Sequence, residues 1–168
     1  LLDAALLLRQ ADGRFAAVPL PEAGAGVRSS TLADLDGDGD LDILVSLAGA
    51  GLRLWRNDGG AYVDASAAAG LLAGDVAAGD GFFDIGDADG DGRADIVYGI
   101  RGGVLLRGVA SGAFAVAALG GDPEDGDFAG QRLGAPSFGA WWRHETASVL
   151  LPWEQGSQLL ALRADGTV

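Results

Sequence analysis

Two nine-residue runs lie 53 residues apart: Asp34-Leu35-Asp36-Gly37-Asp38-Gly39-Asp40-Leu41-Asp42 and Asp87-Ala88-Asp89-Gly90-Asp91-Gly92-Arg93-Ala94-Asp95. Each has carboxylates at positions 1, 3, 5 and 9 and glycine at position 6. A turn with alternate side chains pointing inward can wrap one hard cation, and calcium takes six to eight oxygens at about 2.3–2.6 Å. Glycine lets the backbone turn where a Cβ would clash. Position 7 (Asp40, Arg93) varies, as expected where the backbone carbonyl rather than the side chain is the donor. Carboxylates packed this closely without a cation repel one another, and some must take up protons. An acidic, glycine-rich surface turn is the plainer alternative. Two copies with the same five fixed positions argue against it, and two Ca2+ sites are expected.

The flanks of the loops decide which calcium architecture is expected. An EF-hand needs a bidentate glutamate at position 12 and a helix on each side. Position 12 is Val45 in the first loop and Tyr98 in the second. The segments that follow, residues 41–47 (LDILVSL) and 94–100 (ADIVYGI), are short and apolar, which predicts buried strands. A nonapeptide β-helix would repeat every nine residues, not every 53. Both readings fail.

The period extends beyond the loops. Four further segments each join an apolar stretch to a polar turn: residues 6–15 (LLLRQADGRF), 52–62 (LRLWRNDGGAY), 104–114 (VLLRGVASGAF) and 159–168 (LLALRADGTV). Their turn residues Asp12, Asp58, Ser111 and Asp165 are 46, 53 and 54 apart. Asp-Gly and Ser-Gly between apolar runs are hairpin signals. Each repeat therefore reads as strand, calcium loop, strand, hairpin, strand, turn, strand. Four short antiparallel strands in roughly 50 residues is the size of a propeller blade.

D-x-D-G-D-G-x-x-D followed by D-I-V-type strands resembles the FG-GAP/VCBS class of calcium-binding β-propeller repeats, also found in integrin α-subunits. Residues 54–71 (LWRNDGGAYVDASAAAGL) are similar to the repeat of cartilage acidic protein and its bacterial ASPIC/UnbV-type relatives. The resemblance is good over residues 27–114 and weaker at both ends. It implies a calcium loop between the first two strands of each blade, on one rim. It also implies ligation by Asp34, Asp36, Asp38 and Asp42, and by Asp87, Asp89, Asp91 and Asp95, with the carbonyls of Asp40 and Arg93. The expected fold is all-β: a partial propeller of about three blades, at 1–26 (partial), 27–79, 80–130 and 131–168 (degenerate, incomplete).

The third repeat departs from the pattern. Aligning its strand with the second places Ala140, Trp142, His144 and Ser148 at the ligand positions, so this blade is expected to form without metal. Packing by Trp141, Trp142 and Trp153 is expected to stabilise it instead. His144, the sole histidine, and Glu145 read as a surface turn rather than an acid–base pair. The acidic run at 121–127 contains Pro123 and lacks alternate spacing, so it reads as a solvated inter-blade loop. Asp75, Asp80 and Asp84 occupy the corresponding connection before the second loop, where Asp84 could add an outer contact. Arg53, Arg56, Arg101 and Arg107 recur near the third strand and are expected to face solvent or the next blade.

Composition narrows the function. A formal charge of −13 argues against nucleic acid, whose phosphates demand basic patches. Twenty aspartates against four glutamates suit turns and ligands rather than helix surfaces. Every basic residue is arginine, which with abundant alanine and glycine suggests a bacterial source. With no cysteine, disulfides, thiolate zinc sites and cysteine nucleophiles are excluded. No apolar run approaches the 18 residues of a membrane span. Weak calcium sites serve where calcium is abundant, so a periplasmic, cell-surface or secreted location is expected. The strand count, about thirteen, falls short of a closed ring. Further blades or another chain are expected to complete it, with seven blades implied by the resemblance. No catalytic constellation or phosphate-cradling glycine motif is visible. The expectation is a non-catalytic binding or scaffold module for a protein or glycan partner. The alternatives are a structural accessory subunit of a larger complex and, third, the scaffold part of a propeller enzyme.

Overall fold

The computed structural model describes residues 5–20, 26–100, 103–118, 135–139, 148–153 and 156–161. His144, Glu145, Trp141, Trp142, Arg101, the acidic run at 121–127 and the final Asp165-Gly166 turn lie outside these residues. A first hairpin pairs β1 (Ala5–Arg9) with β2 (Phe15–Pro19). The first complete sheet follows: β3 (Val27–Ala33), β4 (Asp42–Leu47), β5 (Gly51–Asp58) and β6 (Ala61–Asp64), adjacent in chain order and all antiparallel. The second is its counterpart: β7 (Phe83–Gly86), β8 (Asp95–Tyr98), β9 (Val104–Val109) and β10 (Ala113–Ala118). A third sheet contributes β11 (Ser137–Gly139), β12 (Ser148–Trp153) and β13 (Gly156–Ala161), with β11 lying against β7. Such sequential four-stranded meanders are the blades of a partial propeller.

Both faces of the middle strands are apolar, and the two-residue period of a strand sends alternate side chains to opposite sides. In β4, Ile43, Val45 and Leu47 turn toward the first hairpin, where they pack with Leu20 and Trp55 against Leu6. Leu44 points the other way and joins Leu52, Leu54, Phe83, Ile96, Tyr98 and Leu106 in the core between the two complete blades. A strand apolar on both faces has to be covered on both faces, as stacking blades side by side achieves.

Connection 65–82 carries the chain from the outer edge of one blade to the inner strand of the next. Buried Ser66 docks it: its Oγ accepts the N–H of Leu54 at 3.0 Å, and its own N–H reaches Asp64 Oδ1 at 2.9 Å. One helical turn, α1 (Gly74–Ala77), then sits against β5. There Gly51, at φ +70°, leaves only 1.9 Å between a hypothetical Cβ and the carbonyl oxygen of Val76, so a side chain has no room. Two polar contacts also cross from blade to blade. Arg28 grips Asp80 through Nε and Nη2 at 2.6 and 3.1 Å. The buried Ser46 hydroxyl donates to the Gly81 carbonyl and lies 3.4 Å from the Tyr98 hydroxyl.

Candidate metal centres

Each aspartate loop joins the first two strands of its blade. The residue at position 2 anchors it: Leu35 and Ala88 are buried, so the loop is pinned to the core while its tip stays in solvent. Position 1 shapes the turn. Asp34 Oδ1 accepts the N–H of Gly37 at 2.8 Å, and its Oδ2 that of Gly39 at 3.1 Å. Asp87 does the same for Gly90 at 2.7 Å and Gly92 at 3.0 Å. These glycines, at positions 4 and 6, all have positive φ, between 76° and 94°. The glycine of position 4 was part of the signal alongside that of position 6.

Position 9 is the structural centre of the loop. Asp42 and Asp95 are fully buried. Asp42 Oδ2 accepts the N–H of Leu35 and Oδ1 that of Asn57, both at 2.9 Å. Asp95 repeats this with Ala88 and Gly108, both at 2.7 Å. One carboxylate thus ties the start of the loop to the third strand. Burial pushes both acids above the usual carboxylate range; the backbone donors oppose this, and the neighbouring aspartates of each loop reinforce it.

Around that centre, carboxylate oxygens of Asp34, Asp36 and Asp42 lie within 4.8 Å of one another, and so do those of Asp87, Asp89 and Asp95. The structure therefore brings together positions 1, 3 and 9 of each loop. Position 5 is engaged within the loop: Asp38 Oδ1 accepts the N–H of Asp40, and Asp91 Oδ1 that of Arg93, each at 2.8 Å. Asp40 and Arg93 occupy position 7 on the exposed tip. Three converging hard oxygen donors, one of them buried and none a nitrogen or sulfur ligand, fit a calcium-sized cation. Each oxygen of the position-9 carboxylates keeps a second lone pair beyond the backbone bond it accepts, whereas Asp87 Oδ1 already takes the N–H groups of both Gly90 and Asp91.

Two arginines expected to face solvent or the next blade remain partly exposed and also reach the loops. Arg56 Nε stands 3.6 Å from Asp36 Oδ2 while gripping Asp58 at 2.8 and 3.0 Å, and it holds Asp58 below the ordinary carboxylate range. Arg107 places Nε 3.0 Å from Asp89 Oδ2, with Nη2 on the same oxygen, and Asp89 is likewise held low. The signal for this lay in strand register. Arg56 follows Trp55, which pairs with Ile43, and Arg107 follows Leu106, which pairs with Ile96. The hairpin of the second blade is two residues shorter, so these equivalent arginines are 51 rather than 53 residues apart and escape the loop period. Arg53 instead donates to the carbonyls of Ala50 and Leu52.

The two loops share one rim. A cleft of about 130 Å³ between them is lined by Asp34, Asp36, Arg93 and Ser111, among others. The β9–β10 turn closes it so tightly that a Cβ on Gly112 would lie 2.6 Å from that of Asp36.

Stacked four-stranded blades, each with an aspartate loop after its first strand, define a repeat protein of the β-propeller class. The chain belongs to the FG-GAP-like repeat family, which matches it over residues 3–45 and 34–98. No curated protein matches the chain significantly. Among solved structures, it is similar to an Agrocybe aegerita lectin described for specific recognition of non-reducing terminal N-acetylglucosamine. The TM-score is 0.54 at 20% identity, over 97% of this chain and 47% of the lectin. The chain thus spans about half the length of that structure, and the similarity is one of fold.

Proposed function

We propose that this chain is a calcium-stabilised, non-catalytic propeller segment that presents one loop-bearing rim to a protein or glycan partner. The observation that carries this reading is the convergence, in two successive blades, of three carboxylates on a point where the first strand, the second strand and the third strand meet. A divalent cation held by Asp34, Asp36 and Asp42, or by Asp87, Asp89 and Asp95, would neutralise charge that otherwise opposes folding. Asp38, Asp91 and the carbonyls of Asp40 and Arg93 are the further donors of each loop. Because the ion would touch both arms of the loop, it would hold the rim surface in one shape. A role where calcium is plentiful, in the periplasm, at the cell surface or outside the cell, suits sites of this kind. A glycan is a reasonable partner class because a protein of the same fold is a lectin; the structural-subunit and enzyme-scaffold alternatives lack a comparable lead.

Calcium titration by calorimetry, paired with thermal melts in calcium and in chelator, tests the reading. At a hundredfold excess over the dissociation constant, each site adds about 2.7 kcal/mol to the folded state. For a domain of this size each kcal/mol moves the Tm by about 2–4 °C, so filling both sites should raise it by about 10–20 °C. Coincident melts would end the calcium reading. A glycan array probed in calcium and in chelator addresses the partner, and signal confined to the calcium condition is the expected result.

A further inference from the structure

The two loops differ in the positive charge set against them. Among the described residues, one arginine comes within ion-pair distance of the five carboxylates of the first, Asp34, Asp36, Asp38, Asp40 and Asp42. That arginine, Arg56, lies 3.6 Å from Asp36 and makes its closer, two-pronged contact with Asp58 outside the loop. In the second, position 7 is itself arginine, so four carboxylates are approached by two guanidinium groups. Arg93 pairs with Asp91 and donates to the Gly108 carbonyl at 2.9 Å. Arg107 pairs with Asp89, whose side chain is only 5% exposed. A guanidinium and a divalent cation both seek the position-3 carboxylate, and each repels the other.

We propose that Arg107, assisted by Arg93, makes the second loop a low-affinity cation site that fills after the first, by competing for the carboxylates of Asp89 and Asp91. The inference rests on the reading that both loops take calcium. For charges of +1 and +2 about 5 Å apart in a water-like medium, the repulsion corresponds to a loss of affinity on the order of tenfold. Arg56, engaged mainly by Asp58, exerts less of this effect on the first loop. The chain then responds to calcium in two stages: its first blade is organised at low calcium and its second only at higher calcium.

Calorimetric calcium titrations of single-site variants test this. Asp89→Asn leaves the first loop to report alone, and Asp36→Asn leaves the second; the expected affinities differ by at least about tenfold, with the second loop weaker. Adding Arg107→Gln to the Asp36→Asn chain should strengthen the remaining site on the order of tenfold while lowering the Tm in chelator, because the ion pair with Asp89 is lost. A purely structural role for Arg107 would lower stability and affinity together. Arg107→Lys, which keeps the charge, should leave the site weak. Should Arg107→Gln fold poorly, Arg93→Gln, at a half-exposed position, is expected to strengthen the site in the same direction. Equal affinities in the two loops, or a second site unchanged or weakened by loss of these arginines, would overturn the competition. Absence of calcium heat in the unaltered chain would instead remove the calcium reading itself.

Discussion

Replacing Asp42 with asparagine separates what the position-9 carboxylate does for the fold from what it does for a cation. Its two oxygens accept the backbone N–H groups of Leu35 and Asn57, each at 2.9 Å, in a fully buried setting. Asparagine keeps one acceptor and turns an amide donor toward the other N–H. Losing a hydrogen bond to a charged acceptor costs about 1.5–3 kcal/mol, and an unsatisfied buried N–H about 1–3 kcal/mol. Burial disfavours the ionised form of Asp42, so removing its charge returns part of that cost. A net loss of about 2–3 kcal/mol follows, or a Tm lower by about 4–12 °C for a chain of this size. Asp38→Asn is the internal control. Its side chain is exposed, and the asparagine carbonyl can still accept the Asp40 N–H, so the change in chelator should stay within about 0.5 kcal/mol. Melts of both variants with and without calcium make the distinction: Asp42→Asn should fall in both conditions, and Asp38→Asn chiefly in calcium. An Asp42→Asn melt that matches the parent in chelator would refute the view that this carboxylate joins loop and third strand independently of any ion.

Gly51→Ala should destabilise by about 3 kcal/mol or more, because positive φ and collision with the Val76 carbonyl combine there. Gly59→Ala, at φ +62° with open space around it, should cost only about 1–2 kcal/mol; denaturant melts giving equal losses would contradict the packing of α1 on β5. Burial pushes the Tyr98 phenol above its ordinary value near 10. An acid whose folded pKa is raised keeps its proton in the folded state, so its contribution is complete below about pH 10 and is lost as pH rises through 10 toward the higher folded value. Ultraviolet titration of phenolate should therefore show one tyrosine ionising late, together with alkaline unfolding. Full phenolate absorbance reached without a late step would contradict the burial of Tyr98.

The aspartate loops were legible in the sequence because a nine-residue turn is local: the residues that shape it are the residues in it. The same holds for the hairpin turns at Asp12-Gly13, Asp58-Gly59 and Ser111-Gly112, whose glycines all take positive φ. The apolar run of β4 announced a buried strand for the related reason that Ile43, Val45 and Leu47 serve one neighbour and Leu44 the other. What escaped depends on register between segments distant in sequence. Ser46 reads as a polar interruption of an apolar strand, yet it meets a carbonyl 35 residues away on the next blade. Arg56 and Arg107 read as surface charges until β4–β5 and β8–β9 pairing brings each beside its loop.

Position 9 shows why local pattern and distant register converge on one residue. Asp95 is required by the nine-residue motif as an oxygen donor, and by the fold as the acceptor that fastens Ala88 to Gly108, 20 residues further along the chain. The two demands are compatible because each carboxylate oxygen accepts a backbone N–H with one lone pair and retains another. They are also mutually reinforcing. The backbone bonds hold an ionised carboxylate in a buried place that disfavours it, and a cation at the same oxygens would remove much of that penalty. The third strand therefore fixes where the loop's buried carboxylate sits, and its charge is what a cation would answer. On this argument a variant that disturbs β9 near Gly108 should weaken calcium binding at the second loop without altering any of its aspartates.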